Sequence, residues 1–192
     1  HPDAKHYWGG WSTDGDRFAF ASNRRDESVF DIYVQDRDAV GEDADLVFEG
    51  DGIYSVGGFS PDDRHLVLLE SHSNFDADVL DRDVETGERT HLTPHEGDVR
   101  YGGIEWGPDG SLYVVTDDGT DLLYLARLTL DAHLDTVVRD EAWNVDGVAI
   151  DHDTGRLVYS RNVDGYTDLT VGEFSDPTEI DTFPAPDLPE GV

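Results

Sequence analysis

One stretch of sequence recurs four times, and that recurrence constrains the fold more than any other feature. The first copy is Trp11-Ser12-Thr13-Asp14-Gly15-Asp16-Arg17-Phe18-Ala19-Phe20-Ala21-Ser22. The second is Phe59-Ser60-Pro61-Asp62-Asp63-Arg64-His65-Leu66-Val67-Leu68-Leu69-Glu70, and the third Trp106-Gly107-Pro108-Asp109-Gly110-Ser111-Leu112-Tyr113-Val114-Val115-Thr116. A more degenerate fourth runs Ile150-Asp151-His152-Asp153-Thr154-Gly155-Arg156-Leu157-Val158-Tyr159-Ser160. The leading apolar residues stand 48, 47 and 44 positions apart. In each copy an apolar residue ends one run, Asp-Gly or Asp-Asp reverses the chain, and β-branched and aromatic residues follow. That order is the signature of a hairpin.

Each hairpin has company. Upstream, Tyr7-Trp8-Gly9-Gly10, Val56-Gly57-Gly58, Tyr101-Gly102-Gly103-Ile104-Glu105 and Val145-Asp146-Gly147-Val148-Ala149 supply a first strand, with glycines suited to crowded backbone. Downstream, Asp31-Ile32-Tyr33-Val34, Asp78-Val79-Leu80, Asp121-Leu122-Leu123-Tyr124 and Asp168-Leu169-Thr170-Val171 open a third strand. A short fourth follows at Leu46-Val47-Phe48, Arg89-Thr90-His91-Leu92, Thr136-Val137-Val138 and Thr178-Glu179-Ile180-Asp181. No segment has a sustained helical period. Four strands per unit of about 45 residues predict an all-β chain of four antiparallel β-propeller blades, as a partial ring or part of one with 6–8 blades. The blades fall at about 7–52, 53–98, 99–142 and 143–183, after a tail at 1–6 and before a linker at 184–192. The second strands, such as Leu66-Val67-Leu68-Leu69, are apolar on both faces, as a sheet held between two neighbours requires.

Composition narrows the partners. The 192 residues carry 44 acidic and 13 basic side chains, a net charge of −31, with no Cys and no Met. Disulfides and thiolate metal sites are excluded. A phosphate backbone or an anionic membrane would be repelled, so neither nucleic acid nor membrane is an expected partner. Asp outnumbers Glu 32 to 12, Arg has displaced Lys except at Lys5, and the acids are spread evenly. This resembles the composition of salt-loving archaea, whose dense carboxylates need concentrated salt to screen their repulsion. The expectation is a protein of a high-salt cytosol. His1 at the start, with no Met anywhere, and the Pro-rich end at 183–192 lead us to expect that both ends are cut.

Asp151-His152-Asp153-Thr154-Gly155 starts like a calcium loop, but Asn162 stands where the bidentate Glu belongs, so a turn is expected. Asp117-Asp118-Gly119, Asp76-Ala77-Asp78 and Asp81-Arg82-Asp83 read as solvated surface. His91 and His95 are four apart with Pro94 between them, which denies them a shared helical face. No metal site and no cofactor are expected. Asp31, Asp78, Asp121 and Asp168 recur once per repeat and are expected to fix each blade by accepting backbone N–H bonds. Glu70 and Glu105 read as blade-edge acids. Tyr7, Trp8, Tyr54, Tyr101 and Trp143 precede the first strands and are the candidates for ligand contact at one mouth of a ring.

The stretch Trp11–Arg24, continued by Asp31-Ile32-Tyr33-Val34, closely resembles the repeat of Tol-type propellers. The same repeat builds the N-terminal propeller of the prolyl oligopeptidase family of serine peptidases. The resemblance covers residues 7 to 183 and departs at Phe59, where Trp is usual, at Asp63, where Gly is usual, and in the fourth turn. In that family the propeller filters access to a separate hydrolase domain, which carries the catalytic triad. The resemblance thus implies a peptide substrate, handled through a hydrolase domain of the same full-length protein. No G-x-S-x-G elbow occurs here; Gly58-Phe59-Ser60-Pro61-Asp62 is a repeat turn, so no catalytic residue is assigned. Nor does Glu70 or Glu105 match the paired Glu by which some dipeptidyl peptidases hold a substrate amino terminus. The alternative is a free-standing Tol-like scaffold. An arc of blades with open edges is further expected to self-associate.

Overall fold

The computed structural model describes residues 2–40 and 42–184. All regular structure among them is strand. Sixteen strands form four antiparallel sheets of four, each in sequence order. Blade 1 holds β1 (His6–Trp11), β2 (Arg17–Ser22), β3 (Asp31–Asp36) and β4 (Asp45–Phe48). Blade 2 holds β5 (Ile53–Phe59), β6 (His65–Ser73), β7 (Asp76–Asp83) and β8 (Arg89–His91). Blade 3 comprises β9 (Tyr101–Trp106), β10 (Leu112–Thr116), β11 (Tyr124–Leu128) and β12 (Leu134–Val138). Blade 4 comprises β13 (Val145–Asp151), β14 (Arg156–Val163), β15 (Tyr166–Asp176) and β16 (Glu179–Thr182). The chain divides into two compact units, the first ending at Asp98 and the second beginning at Val99. β1 already includes His6, and the end of the chain read as a linker lies, apart from Pro184, outside the described residues.

Within each unit, two blades are joined face to face because strand side chains alternate between faces. In the first unit Ala19, Ala21, Ile32 and Val34 of blade 1 meet Tyr54, Val56, Phe59, Leu66, Leu68 and Leu80 of blade 2. In the second unit Tyr113, Val115 and Leu125 meet Val145, Leu157 and Tyr159 in the same way. A backbone clasp recurs at each junction: Phe30 N–H donates to Gly52 O, and Val145 N–H donates to Leu123 O. The first strands carry a bulge at their glycines, between Trp8 and Gly10, Val56 and Gly58, and Val145 and Gly147.

The repeated turn is a hydrogen-bonded module. Ser12 Oγ donates to Asp14 and accepts from Arg17 N–H, and Ser60 repeats both bonds with Asp62 and His65. The third copy replaces this Ser by Gly107, since a Cβ there would lie 2.1 Å from the ring of Tyr113, which fills the space. The left-handed turn position is Gly15, Gly110 and Gly155 in three copies, and Asp63 with φ of 58° in the second. Asp tolerates that conformation better than most residues. It is also put to use: the Asp63 carboxylate accepts N–H bonds from Thr13 (2.6 Å) and Asp14 (3.1 Å), tying one hairpin to the next. The departure at Asp63 is therefore a cross-blade tie.

This assignment separates two substitutions. Asp63→Ala loses both bonds and leaves a Cβ residue in the left-handed region, and it is expected to cost about 2 kcal/mol. Asp63→Gly loses the bonds alone and is expected to cost less. Denaturant unfolding of both variants checks the order; equal losses would show that the turn conformation is immaterial.

Candidate functional site

The position of each blade face is set by register, and blade 1 has a face that none of the contacts above covers. The six positions through which blade 2 meets blade 1 correspond, strand by strand, to His6, Trp8, Trp11, Phe18, Phe20 and Tyr33 in blade 1. In blade 2 these positions hold Leu66 and Leu68 at 0% exposure, whereas Trp8 is 62% and Trp11 51% exposed. Their rings form a ladder: Trp8 lies 5.5 Å from Trp11 and 5.7 Å from Phe18, and Phe20 stacks 5.6 Å from Tyr33. The Arg24 guanidinium sits 3.6 Å over the Tyr33 ring. A cleft of about 400 Å³ opens between Trp8, Phe18, Phe20 and Arg24.

The other aromatic candidates are placed differently. Tyr7 is exposed and packs its ring 5.1 Å from Phe30. Tyr54 and Tyr101 lie within β5 and β9 and are buried. Burial first, and the neighbouring Glu70 and Asp118 next, raise their phenol pKa values. Trp143 is half-buried ahead of β13, its backbone N–H donating to the Asp140 carboxylate. Glu105 is half-buried in β9, where burial raises its pKa.

The recurrent acids need a correction. Asp31, Asp78 and Asp168 pair with Ser22, Glu70 and Arg161, each four residues beyond the second-strand residue that faces the leading apolar residue of its copy. The equivalent partner of Thr116 is Tyr124, and Asp121 lies in the loop before β11. The Asp121-Leu122-Leu123-Tyr124 run mimics the others in composition but is out of register by three residues. Nor do backbone amides dominate, because the main partners are basic side chains. Arg25 clamps the fully buried Asp31 through two bonds of 2.7 and 2.9 Å, with Gly50 N–H adding a third of 3.2 Å. Arg161 pairs with the half-exposed Asp168. In blade 2 imidazoles take this place: His72 and His91 approach Asp78 to 2.9 and 2.7 Å. Burial opposes ionisation of Asp78, but the bonds from His72 and His91 outweigh it and hold its pKa below the usual carboxylate value.

Other acid groups also resolve. Asp81 and Asp83 are buried, contrary to a solvated reading, because β7 carries them inward towards partners. Asp81 faces His65 at 2.9 Å, with burial raising its pKa, and Asp83 accepts from Thr86 and Glu85 amides and Arg64, which holds it to about 2. Asp151 accepts from Asp153 N–H and Thr154 Oγ in the fourth turn. Asp117 binds Arg100 and Asp118 binds Tyr101. Among the described residues, Glu70, His72 and Asp78 bring one donor atom each within 4.8 Å of the others. Spacing along one strand does not reveal donors that meet across a sheet.

No protein-family model matches the chain, and no curated protein sequence matches it. Solved structures do. TolB of Agrobacterium tumefaciens superposes with a TM-score of 0.70 at 18% identity, over 92% of this chain and 63% of that one. A prolyl endopeptidase, studied for the role of inter-domain dynamics in catalysis and specificity, gives 0.73 at 16% identity, over 95% of this chain and 28% of its own. A puromycin-hydrolyzing peptidase of Mycobacterium tuberculosis gives 0.74 at 16%, over 95% and 32%. The fold is that of a Tol-type β-propeller. The chain spans less than two thirds of each of these proteins.

The acid register predicts unequal costs. Arg25→Ala leaves a buried carboxylate unpaired and is expected to cost about 3 kcal/mol. Asp168→Ala removes an exposed partner and is expected to cost under about 1 kcal/mol. Urea unfolding in concentrated salt compares them, and an Arg25→Ala loss no larger than that of Asp168→Ala contradicts the assignment.

Proposed function

We propose that this chain is a four-blade segment of a larger propeller, which filters peptides on their way to a hydrolase domain in a serine peptidase of the prolyl oligopeptidase type. The observation that carries the reading is the aromatic face of blade 1. It repeats, position for position, the face by which blade 2 packs on blade 1, yet its Trp8 and Trp11 lie open. Such a face suits a further blade. The likeness to peptidases whose chains are three to four times longer supports the same reading. On this account the segment supplies no nucleophile and acts on peptides by exclusion and contact. Left uncovered, the same face is where isolated copies would associate. The even acidic surface is, on the same proposal, an adaptation to the salty cytosol of a halophilic archaeon, where counterions screen it.

A second reading has one specific observation in its favour: the chain spans a larger share of TolB, 63%, than of the peptidases. In that case the propeller is a scaffold for protein partners. The test uses the longer protein that contains this chain. The peptidase reading expects a serine labelled by a fluorophosphonate, cleavage of short peptide esters, and poor cleavage of the same site in a folded protein. It further expects that deleting the propeller relaxes this size limit. A longer protein with no reactive serine would sink the peptidase reading and leave the scaffold.

A further inference from the structure

The face by which blade 2 meets blade 1 changes chemistry along its length. Alternation places Leu66, Leu68, Glu70 and His72 along β6, and Leu80, Asp78 and Asp76 along β7. β8 adds His91, paired with Leu80. The apolar end belongs to the core between the blades, and the other end gathers imidazoles and carboxylates. Glu70, His72 and Asp78 each bring a donor atom within 4.8 Å of the others. His72 Nε2 lies 2.9 Å from Asp78 Oδ2, and His91 Nε2 lies 2.7 Å from Asp78 Oδ1.

We propose that Glu70, His72, Asp78 and His91 form a binding site for a divalent transition-metal ion of the zinc class. Around a tetrahedral cation with bonds of about 2.0–2.1 Å, adjacent donors stand about 3.3 Å apart. The His–Asp contacts need open by only about half an ångström, and His91, which meets the other oxygen of Asp78, must swing in towards Glu70 and His72. Ligation frees the ring nitrogen of the proton it shares with Asp78: an imidazolium releases it to solvent, and a neutral ring carries its proton on Nδ1 instead. Two imidazole nitrogens with two carboxylate oxygens suit Zn²⁺ or Co²⁺, whereas Ca²⁺ and Mg²⁺ require larger sets of oxygens.

The sister blades supply the contrast. Blades 1 and 4 pair the equivalent acid with Arg25 and Arg161, and a guanidinium stays protonated and never ligates. Blade 2 alone of the three substitutes side chains that do. Support for the ligands is also present. His95, 10% exposed, sets Nε2 3.0 Å from Asp76 and Nδ1 2.8 Å from Thr93 O and 3.3 Å from Asp78 Oδ1. Such outer contacts orient a ligating carboxylate. The Tyr54 hydroxyl donates to Glu70, and a cleft of about 360 Å³ beside Tyr54, Glu70 and His91 gives an entry path.

The test must separate a built site from cation condensation on an acidic surface. Chelator-treated chain is titrated with ZnCl₂ by calorimetry in concentrated KCl with excess Mg²⁺, and with Co²⁺ by visible absorption. The expected result is one saturable Zn²⁺ per chain and the intense d–d bands of tetrahedral Co²⁺. His72→Asn and His91→Asn are each expected to weaken Zn²⁺ binding at least tenfold, while His133→Asn, on an exposed loop beside β12, leaves it unchanged. Circular dichroism confirms that each variant is folded; should either fail to fold, Glu70→Gln is the substitute. No saturable binding over Mg²⁺, or equal binding by all variants, overturns the proposal.

Discussion

Everything in this molecule depends on apolar contact between neighbouring blades. A single four-stranded sheet has no interior, and its stability comes from laying one face on the next sheet. Strand alternation makes that possible, because odd and even positions of one run serve two different neighbours. Ala19 and Ala21 point to blade 2, whereas Phe18 and Phe20 point the other way. The small residues admit the next blade closely, and the large ones form the ladder left uncovered. Hydrogen bonds then fix what packing selects: the Asp63 carboxylate grips the preceding hairpin, and the Phe30–Gly52 clasp aligns third and first strands.

Much of this was legible because turns are local. The Asp-Gly reversal needs a left-handed residue at a fixed place, so four copies at a steady spacing announce four hairpins. Register beyond the turn is not local. Asp121 looked equivalent to Asp31 because both precede an apolar run, yet strand pairing puts Tyr124 there. The loop between β10 and β11 had absorbed the difference. Gly107 and Asp63 are likewise explained only by what stands opposite them in space, the Tyr113 ring and the amides of Thr13 and Asp14.

The candidate sites divide along the same line. The exposure of Trp8 depends on which blade lies next to it, and composition is silent on that. The imidazoles of His72 and His91 stand on strands six and eight and meet only because the strand between them, carrying Asp78, is shared. A rule built on spacing along one element passes over such a group. Their convergence also shows how one register position changes as the repeat diverges: an Asp met by guanidinium in two blades, an Asp met by imidazole in another, and Tyr124 in the remaining one.

The central claim is that the aromatic face of blade 1 is a packing face, and solvent access to its indoles tests it most directly. With Trp106 and Trp143 replaced by Phe, fluorescence reports Trp8 and Trp11 alone. Acrylamide quenching is compared between this chain, at dilutions where it is monomeric, and the longer protein proposed to contain it. The account predicts ready quenching in the chain and a severalfold smaller quenching constant in the longer protein. Equal quenching in both would mean that no blade covers this face, and it would contradict the account.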